Sequence, residues 1–255
     1  MATRDRATVI QPGAWFTCGV VTVEGWSERV RRGYDAVSTV YRADDAAAGV
    51  YGPWVDQLLG LVPVSSRIVD LGCGCGVPVA RSLCAAGHEV VGIDLSETQI
   101  ERARVLVPGA QFHCGDLASV EFGAGEFDAA VMLYSIIHVP LVEQPRMLRR
   151  VAACLRPGGV LVMTAGLDAW TGSEERWLGT DATMWWSQAD AATYRRWLIA
   201  AGFDIDEEAI VPDGASAHAL FWAHTTTDSV ASMMPAAVAP LGDATSVRPR
   251  CGAAR

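Results

Sequence analysis

Apolar residues recur along the middle of the chain in two alternating patterns, short β-branched runs and longer stretches with helical spacing. The short runs predict strands at 67–71, 89–93, 110–114, 127–134 and 159–165, and the longer stretches predict helices at 77–86, 97–106 and 143–155. A helix over 190–200 and strands near 203–211 and 217–223 complete the pattern. Because strands that alternate with helices form parallel sheets with right-handed crossovers, we expect an α/β fold.

Two further helices are predicted ahead of the first strand. Val30, Tyr34, Val37 and Tyr41 have helical spacing and predict a helix from Ser27, its N-cap, to residue 40. The second helix is predicted over residues 53–60, with a proline in its first turn and a glycine at its end.

The pattern divides the chain into an N-terminal arm over 1–26, a domain over 27–225 and a tail over 226–255, for which we predict disorder. Within the domain, residues 166–188 break the alternation and contain Trp170, Trp177, Trp185 and Trp186. Tryptophans at this density predict an aromatic cap that also lines a pocket.

The composition excludes several classes of function. The formal net charge of −9 disfavours a surface for nucleic acid or anionic membranes, so we expect neither partner. The chain has no lysine, which excludes a Schiff base with pyridoxal phosphate and the lysine of a Walker A loop. We therefore expect chemistry on a small molecule.

The cysteines and the apolar segments indicate a compartment. Seven cysteines are spread along the chain without a C-x-x-C pair, which favours a reducing cytoplasm and predicts no metal site. No run of about 18 apolar residues occurs, so neither a membrane span nor secretion is expected. A composition rich in Ala, Arg and Gly, without Lys or Asn, suggests a bacterium with a GC-rich genome.

A glycine-rich loop follows the first predicted strand and carries the chemistry. Gly72, Gly74 and Gly76 alternate after Asp70, and alternating glycines let a backbone approach a ligand closely. Asp94 ends the next strand about 20 residues later, where such folds bind a ribose diol. The glycine spacing differs from the dinucleotide fingerprint G-x-G-x-x-G, and the Asp70 carboxylate would repel a pyrophosphate but suit an ammonium group. S-adenosylmethionine (SAM) carries an ammonium and a sulfonium and no phosphate.

Five motifs in order, V-D-L-G-C-G-C-G, G-I-D-L-S, C-G-D-L, F-D-A-A-V-M-L-Y-S-I-I-H and L-R-P-G-G-V-L, give the chain its resemblance to class I SAM-dependent methyltransferases. The resemblance covers roughly residues 34–223. It implies a seven-stranded, mostly parallel sheet with helices on both faces and an antiparallel last strand. It also implies that Asp116 accepts the adenine amino group of SAM; a simple turn aspartate is the alternative. For Asp94 the alternative is the N-cap of the helix that begins near Ser96.

The remaining expected cofactor contacts surround these motifs. Tyr34 resembles a residue of the lid helix that covers SAM in this family, and its ring could contact the sulfonium by cation–π attraction. We also expect SAM to contact side chains and backbone at Asp70, Gly72, Cys73, Gly74, Leu95, Gln99, Leu117 and Leu133.

The predicted catalytic residues are Tyr134 and His138, at and just beyond the carboxyl end of a strand, where open α/β sheets bind ligands. His138 could act as a general base, because an ordinary histidine pKa of about 6.5 permits proton abstraction near neutrality. It could equally support the loop before Pro140. The expected substrate contacts are Tyr41, which could instead pack in the core, Trp185, Trp186 and His218, which could instead be structural.

The sequence thus predicts transfer of a methyl group from SAM to an oxygen or nitrogen of a small, aromatic or apolar specialised metabolite. One alternative is a nicotinamide-dependent oxidoreductase, which would bind NAD(H). The other is a protein that binds SAM without catalysis. A homo-oligomer is left open.

Overall fold

The computed structural model describes residues 24–214 and 216–226. The helices are α1 (Glu24–Tyr41), α2 (Tyr51–Leu61), α3 (Val79–Ala85), α4 (Glu97–Leu106), α5 (Gln144–Cys154) and α6 (Ala191–Ala201). The strands are β1 (Arg67–Leu71), β2 (Glu89–Asp94), β3 (Gln111–Cys114), β4 (Phe127–Met132), β5 (Leu155–Gly166), β6 (Trp170–Glu174), β7 (Met184–Gln188), β8 (Phe203–Asp213) and β9 (Ser216–Thr225). The predicted arm over 1–26 and tail over 226–255 lie almost wholly outside the described residues, so these boundaries stay predictions.

Seven strands form one sheet in the order β3-β2-β1-β4-β5-β9-β8. The first five strands of the chain pair in parallel, and β9 runs antiparallel to both β5 and β8. The expected seven-stranded, mostly parallel sheet with an antiparallel last strand is confirmed.

Apolar side chains cover both faces of the sheet, because neighbouring residues of a strand point to opposite sides. Val69 and Met132 belong to a core that also contains side chains of α5 and α6. Ile68, Val131 and Trp222 belong to a second core with side chains of α2, α3 and α4. Helices on both faces are therefore required to bury the sheet.

The strand order reverses direction at β1. β2 and β3 lie on one side of β1, whereas β4 and β5 lie on the other. At such a switch point the loops after neighbouring strands diverge and leave a crevice outside the carboxyl ends of the strands. This crevice is where the residues with predicted chemistry meet.

Three predicted helix ends need correction. Helix α1 already runs at Glu24, so Ser27 lies inside it and is not its N-cap. The buried Trp26 continues the apolar stripe of Val30 one turn earlier, which extends the helix beyond the predicted start. Helix α2 runs from Tyr51 to Leu61 and is not stopped at its glycine, and helix α3 starts at Val79, two residues late.

The Pro-Gly-Gly signal in the sequence predicts a turn at 156–159, between the helix over 143–155 and the next strand. In the structure these residues are part of strand β5, which begins at Leu155. The pairing of β4 with β5 shifts register between Phe127 and Ala129. Gly158 adopts a left-handed φ of +76° in this stretch, a conformation open to glycine. A β-irregularity therefore replaces the turn that the Pro-Gly-Gly signal predicted.

Residues 166–188, which break the predicted alternation, contain an antiparallel hairpin of β6 and β7. A short 3-10 turn at Trp177–Gly179 lies between the two strands. Trp186 faces Gly172 in the hairpin register. Trp170, Trp185 and Trp186 therefore belong to a small two-stranded sheet, and Trp177 lies in the turn between its strands, an arrangement that their sequence pattern did not reveal.

Candidate active site

The glycine loop after β1 passes close to the neighbouring strands. The backbone N–H groups of Gly72 and Cys73 both donate to the Ile93 carbonyl, at 2.7 and 3.0 Å. Gly72 has a φ of +82°, and a Cβ at this position would lie 2.3 Å from the Ser135 Cβ. Gly74 has a φ of +53° and open space where a Cβ would be. The loop thus presents bare backbone to the crevice.

Asp94 joins the glycine loop to the start of α4. Its carboxylate accepts hydrogen bonds from the Gly74 N–H at 2.8 Å and the Ser96 N–H at 2.9 Å. Burial raises the pKa of Asp94 to about 6 despite these bonds. The N-cap of α4 is Ser96, whose hydroxyl accepts from the Gln99 N–H. The alternative role for Asp94 as that N-cap is therefore wrong, and its carboxylate lines the cleft described below.

Asp70 is a buried carboxylate with an unused acceptor. Its side chain is buried, and its Oδ2 has no hydrogen-bond partner among the described residues. Burial first, and the nearby Asp94 second, raise the pKa of Asp70 to about 7. A buried acceptor without a donor is costly, so this atom marks a place where a cationic or hydrogen-bonding ligand would be stabilised.

Two adjoining cavities lie in the crevice. Their empty volumes are about 600 and 450 Å³. The larger one, here called the cleft, is lined by predicted cofactor, catalytic or substrate residues on five segments: Tyr34, Tyr41, Gly72, Gly74, Asp94, Leu95, Gln99, Asp116, Leu117, Leu133, Tyr134 and His138. The smaller one, here called the side cavity, adds Arg42, Asp70, Cys73 and Tyr51. The structure thus brings every predicted cofactor residue to one of two adjoining spaces.

Two of these residues also serve the fold. Gln99 is buried, and its amide oxygen accepts from the Ser38 hydroxyl at 2.9 Å, which ties α4 to α1. Asp116 accepts from the Ala118 N–H at 2.8 Å, so the alternative role as a turn aspartate is present alongside its place in the cleft wall.

His138 is held at both ring nitrogens. Nδ1 lies 2.8 Å from the Trp185 carbonyl, and Nε2 lies 2.9 Å from the Tyr34 hydroxyl. Since a carbonyl only accepts, Nδ1 carries the proton and Nε2 accepts from the tyrosine. Burial lowers the pKa of His138 to about 4. At neutral pH this histidine is uncharged, and both of its nitrogens are engaged.

Tyr34 connects the lid helix α1 to the rest of the cleft. Its ring packs edge-on against Tyr41, His138 and Trp177, at centroid distances of 5.4, 5.3 and 5.4 Å. Burial raises the pKa of the Tyr34 hydroxyl well above its usual value. The phenol therefore stays protonated and donates to His138.

The tryptophans expected to bind substrate lie one layer behind the cleft wall. Trp185 packs on Trp26 at 6.0 Å, and Trp186 packs on His138 at 5.7 Å, between ring centroids. Trp26 itself lines the cleft. Trp26, Val30 and Val139 also line the cleft, although they were not predicted as site residues. Extending the apolar stripe of α1 one turn toward the N-terminus would have identified Trp26 and Val30.

His218 lies apart from the tryptophans with which it was expected to share a pocket. Its ring packs edge-on against Tyr134, at 5.0 Å between centroids. Tyr134 has a left-handed φ of +56°, which is uncommon for a residue with a side chain, and it lines the cleft. His218 therefore reaches the site through Tyr134.

The described part of the chain has no group of three or more His, Cys, Asp or Glu side chains placed to hold a metal ion. Among the same residues, no helix is long and apolar enough to cross a membrane.

Comparison with known proteins assigns the fold and site to a class. Residues 68–159 match a family model described as "Methyltransferase domain". The chain is 31% identical over 162 residues to the 27-O-demethylrifamycin SV methyltransferase of Amycolatopsis mediterranei, covering 56% of each chain. It is 35% identical over 111 residues to the ubiquinone biosynthesis O-methyltransferase of Aromatoleum aromaticum, covering 42% of this chain and 45% of the relative.

A solved structure shares the whole architecture. The 1,6-didemethyltoxoflavin-N1-methyltransferase of Burkholderia thailandensis superposes with a TM-score of 0.64 at 18% identity, over 86% of this chain and 94% of that one. The fold and the glycine-loop site define a Rossmann-like methyltransferase domain. Residues 68–159 belong to the methyltransferase-domain family, and the chain is similar to SAM-dependent methyltransferases in sequence and fold. It spans about half the length of the two curated relatives named above.

Proposed function

We propose that this chain binds SAM and transfers its methyl group to an oxygen or nitrogen of a small, aromatic or apolar molecule. The observation that carries the proposal is the buried Asp70 carboxylate with a free acceptor atom beside a bare glycine backbone. This donor and acceptor set fits a cationic, phosphate-free ligand better than it fits a pyrophosphate.

The side cavity suits the amino-acid end of the cofactor. Arg42 and Asp70 line it together and offer a positive and a negative group. The Arg42 guanidinium donates to the Tyr51 hydroxyl at 2.9 Å and lies over that ring, which fixes its position. Asp70 would hold an ammonium, and Arg42 would hold a carboxylate.

The cleft suits the nucleoside end. Asp94 and Asp116 face it from the ends of β2 and β3, and Leu95, Leu117 and Leu133 supply apolar walls. A carboxylate at the end of the second strand is placed to accept from a ribose diol. Bound SAM supplies an activated methyl group on a sulfonium.

The remaining work falls to residues of the chain. Tyr34 and Trp26 on α1 cover the cleft and would exclude water from the reacting groups. Alignment of the acceptor accounts for much of the rate in such a displacement, because it replaces a bimolecular encounter. His138 would hold α1 in place through its hydrogen bond to Tyr34.

The relatives support the acceptor class. Two of them are named for O-methylation, and a structural neighbour is named for N-methylation. The aromatic rings in the cleft wall, which include Trp26, Tyr41 and Tyr134, favour an aromatic or apolar acceptor. We further propose that the substrate is a specialised metabolite, and that the chain is a bacterial protein of the cytoplasm.

The test is methyl transfer itself. Purified protein is incubated with SAM carrying a deuterated methyl group and with panels of phenols and of aromatic amines. The masses of the products are then measured by mass spectrometry. We expect a labelled product from at least one phenol or amine, and less of it with Asp94→Ala at the same SAM concentration. Cofactor binding without transfer to any acceptor would favour the non-catalytic SAM-binding alternative.

A further inference from the structure

His218 occupies the end of the sheet where the cleft opens. In β9 it pairs with Gly166, the last residue of β5, and with Val211 of β8. Tyr134, two residues beyond β4, places its ring against His218 and its backbone N–H on the Thr164 hydroxyl of β5. His218 is therefore fixed beside the residue that follows the central strand of the site.

Aromatic rings continue from His218 toward helix α2. The Tyr134 ring lies 6.0 Å from the Tyr51 ring and 6.5 Å from the Trp54 ring. We call Tyr51, Trp54, Tyr134 and His218 the α2 aromatic cluster. It is a different set of rings from the tryptophans of the β6–β7 hairpin.

The hydrogen bonding of the His218 ring is incomplete. Nε2 lies 3.4 Å from the Asp213 carboxylate, and the side chain is 11% exposed. Nδ1 is buried and has no hydrogen-bond partner among the described residues. Because the carboxylate can only accept, it favours a proton on Nε2 and leaves a lone pair on Nδ1. Burying an acceptor of this kind is unfavourable unless a ligand donates a hydrogen bond to it.

The other histidine of the site has no such free atom. His138 donates from Nδ1 to Trp185 and accepts at Nε2 from Tyr34. The two histidines are close enough that charge on His218 lowers the pKa of His138. Of these two histidines, only His218 has a ring nitrogen without a hydrogen-bond partner among the described residues.

We propose that the methyl acceptor is a phenol bound against Tyr134 in the α2 aromatic cluster, and that His218 Nδ1 takes its hydroxyl proton. This rests on the proposed function. The O–H bond breaks as Nδ1 gains the proton, with Asp213 stabilising the imidazolium. The oxygen electron pair then forms the new bond to the methyl carbon, and the carbon–sulfur bond breaks toward sulfur, which leaves as a neutral thioether. The proton passes to solvent as the product leaves.

The charged and titratable groups around the cluster are few. The Asp213 carboxylate faces His218 from β8, and the Tyr134 ring packs on His218 from the loop after β4. Tyr51, with its hydrogen-bond partner Arg42, belongs to the same cluster. Of these, only Asp213 is an anion that stabilises a protonated His218. The ionised fraction of a bound phenol therefore reports on proton acceptance by His218 and its stabilisation by Asp213.

The probe is 4-nitrophenol, whose ionised form absorbs visible light. It is titrated into the complex of the protein with S-adenosylhomocysteine at a pH about one unit below its midpoint in free solution. A tenfold stabilisation of the ionised form raises the ionised fraction about fivefold over the free probe, which is the result we expect. His218→Gln should abolish this rise, and Asp213→Asn should reduce it.

His224→Gln is the matched control, since His224 lies on the same strand and is exposed. It should keep the full rise. The proposal is overturned if the wild-type complex leaves the probe unbound or ionised to the same extent as in solution. It is also overturned if His218→Gln keeps the rise or His224→Gln loses it.

Two further measurements separate other causes of failure. Thermal unfolding shows whether His218→Gln folds; if it does not, Asp213→Asn, at an exposed side chain, decides the question. Calorimetric binding of S-adenosylhomocysteine is measured first on each variant. Loss of that binding in the wild type would refute the proposed function, whereas probe ionisation in the protein alone would still test His218.

Discussion

The protonation of Asp70 should control cofactor affinity. In the ligand-free protein, burial holds the pKa of Asp70 at about 7. A ligand ammonium beside the carboxylate favours its ionised form, so binding requires the proton to leave. We therefore predict that S-adenosylhomocysteine binds more tightly as the pH rises toward neutrality, with release of a proton on binding.

The size of the effect follows from the pKa. With a pKa of about 7, roughly one Asp70 in eleven is ionised at about pH 6 and roughly three in four at about pH 7.5. If the complex contains only ionised Asp70, the affinity rises about eightfold over this range, equal to about 1.2 kcal/mol. Asp94, with a pKa of about 6, adds about a further twofold.

Isothermal titration calorimetry measures both quantities. Titrations at about pH 6 and about pH 7.5 give the affinity ratio, and titrations in buffers with different ionisation enthalpies give the protons released. Asp70→Asn keeps the shape of the side chain but cannot ionise, so its affinity should be weaker and should lose most of the pH dependence. Adenosine, which lacks the amino-acid group, should bind the wild type with little dependence on Asp70.

The raised pKa values of Asp70 and Asp94 make the ligand-free protein less stable as the pH rises, whereas they make cofactor binding tighter. Because the folded state holds protons on Asp70 and Asp94 that the unfolded chain has released, the ligand-free protein loses stability as the pH rises from about 4 to about 7. For Asp70 alone the cost is of order 4 kcal/mol at full ionisation. Asp70→Asn should therefore raise the unfolding free energy at about pH 8. An affinity that is flat with pH, or a variant that is no more stable, would refute the assignment of a buried, unpartnered Asp70.

Three further predictions test single contacts. Gly72→Ala should destabilise the protein by about 3 kcal/mol in urea unfolding, because its Cβ would meet Ser135, whereas Gly74→Ala, with open space, should cost only about 1–2 kcal/mol. Asp94→Ala should weaken both S-adenosylhomocysteine and adenosine by more than about 1 kcal/mol in calorimetry, and unchanged affinity would remove it from the site. Arg42→Met should weaken S-adenosylhomocysteine at least about tenfold but leave adenosine binding unchanged; equal loss of both would contradict a carboxylate-binding role.

Sequence reasoning located the residues whose place depends on local structure. Asp70 and Asp94 end parallel strands, and such ends meet at one edge of a sheet whatever the details of packing. The glycine loop follows from alternating glycines in the same way. These features need only the order of the strands, which the hydrophobic pattern carries.

The missing parts of the site depend on contacts between distant segments. The bond between Tyr34 and His138 joins residues 104 positions apart, and no periodicity signals it. The β6–β7 hairpin was missed because its strands are rich in tryptophan and largely exposed on one strand, which weakens the alternation. The approach of Asp213 to His218 depends on the turn between β8 and β9, so the sequence left His218 without a partner.

The cleft and the side cavity together should bind SAM and not a nicotinamide dinucleotide. Calorimetric titration of the purified protein with S-adenosylhomocysteine, and in parallel with NAD(H), measures this choice directly. We expect binding of S-adenosylhomocysteine at micromolar concentration and no heat from NAD(H). Binding of NAD(H) in place of S-adenosylhomocysteine would contradict the assignment of Asp70 to an ammonium group and make the oxidoreductase the better account.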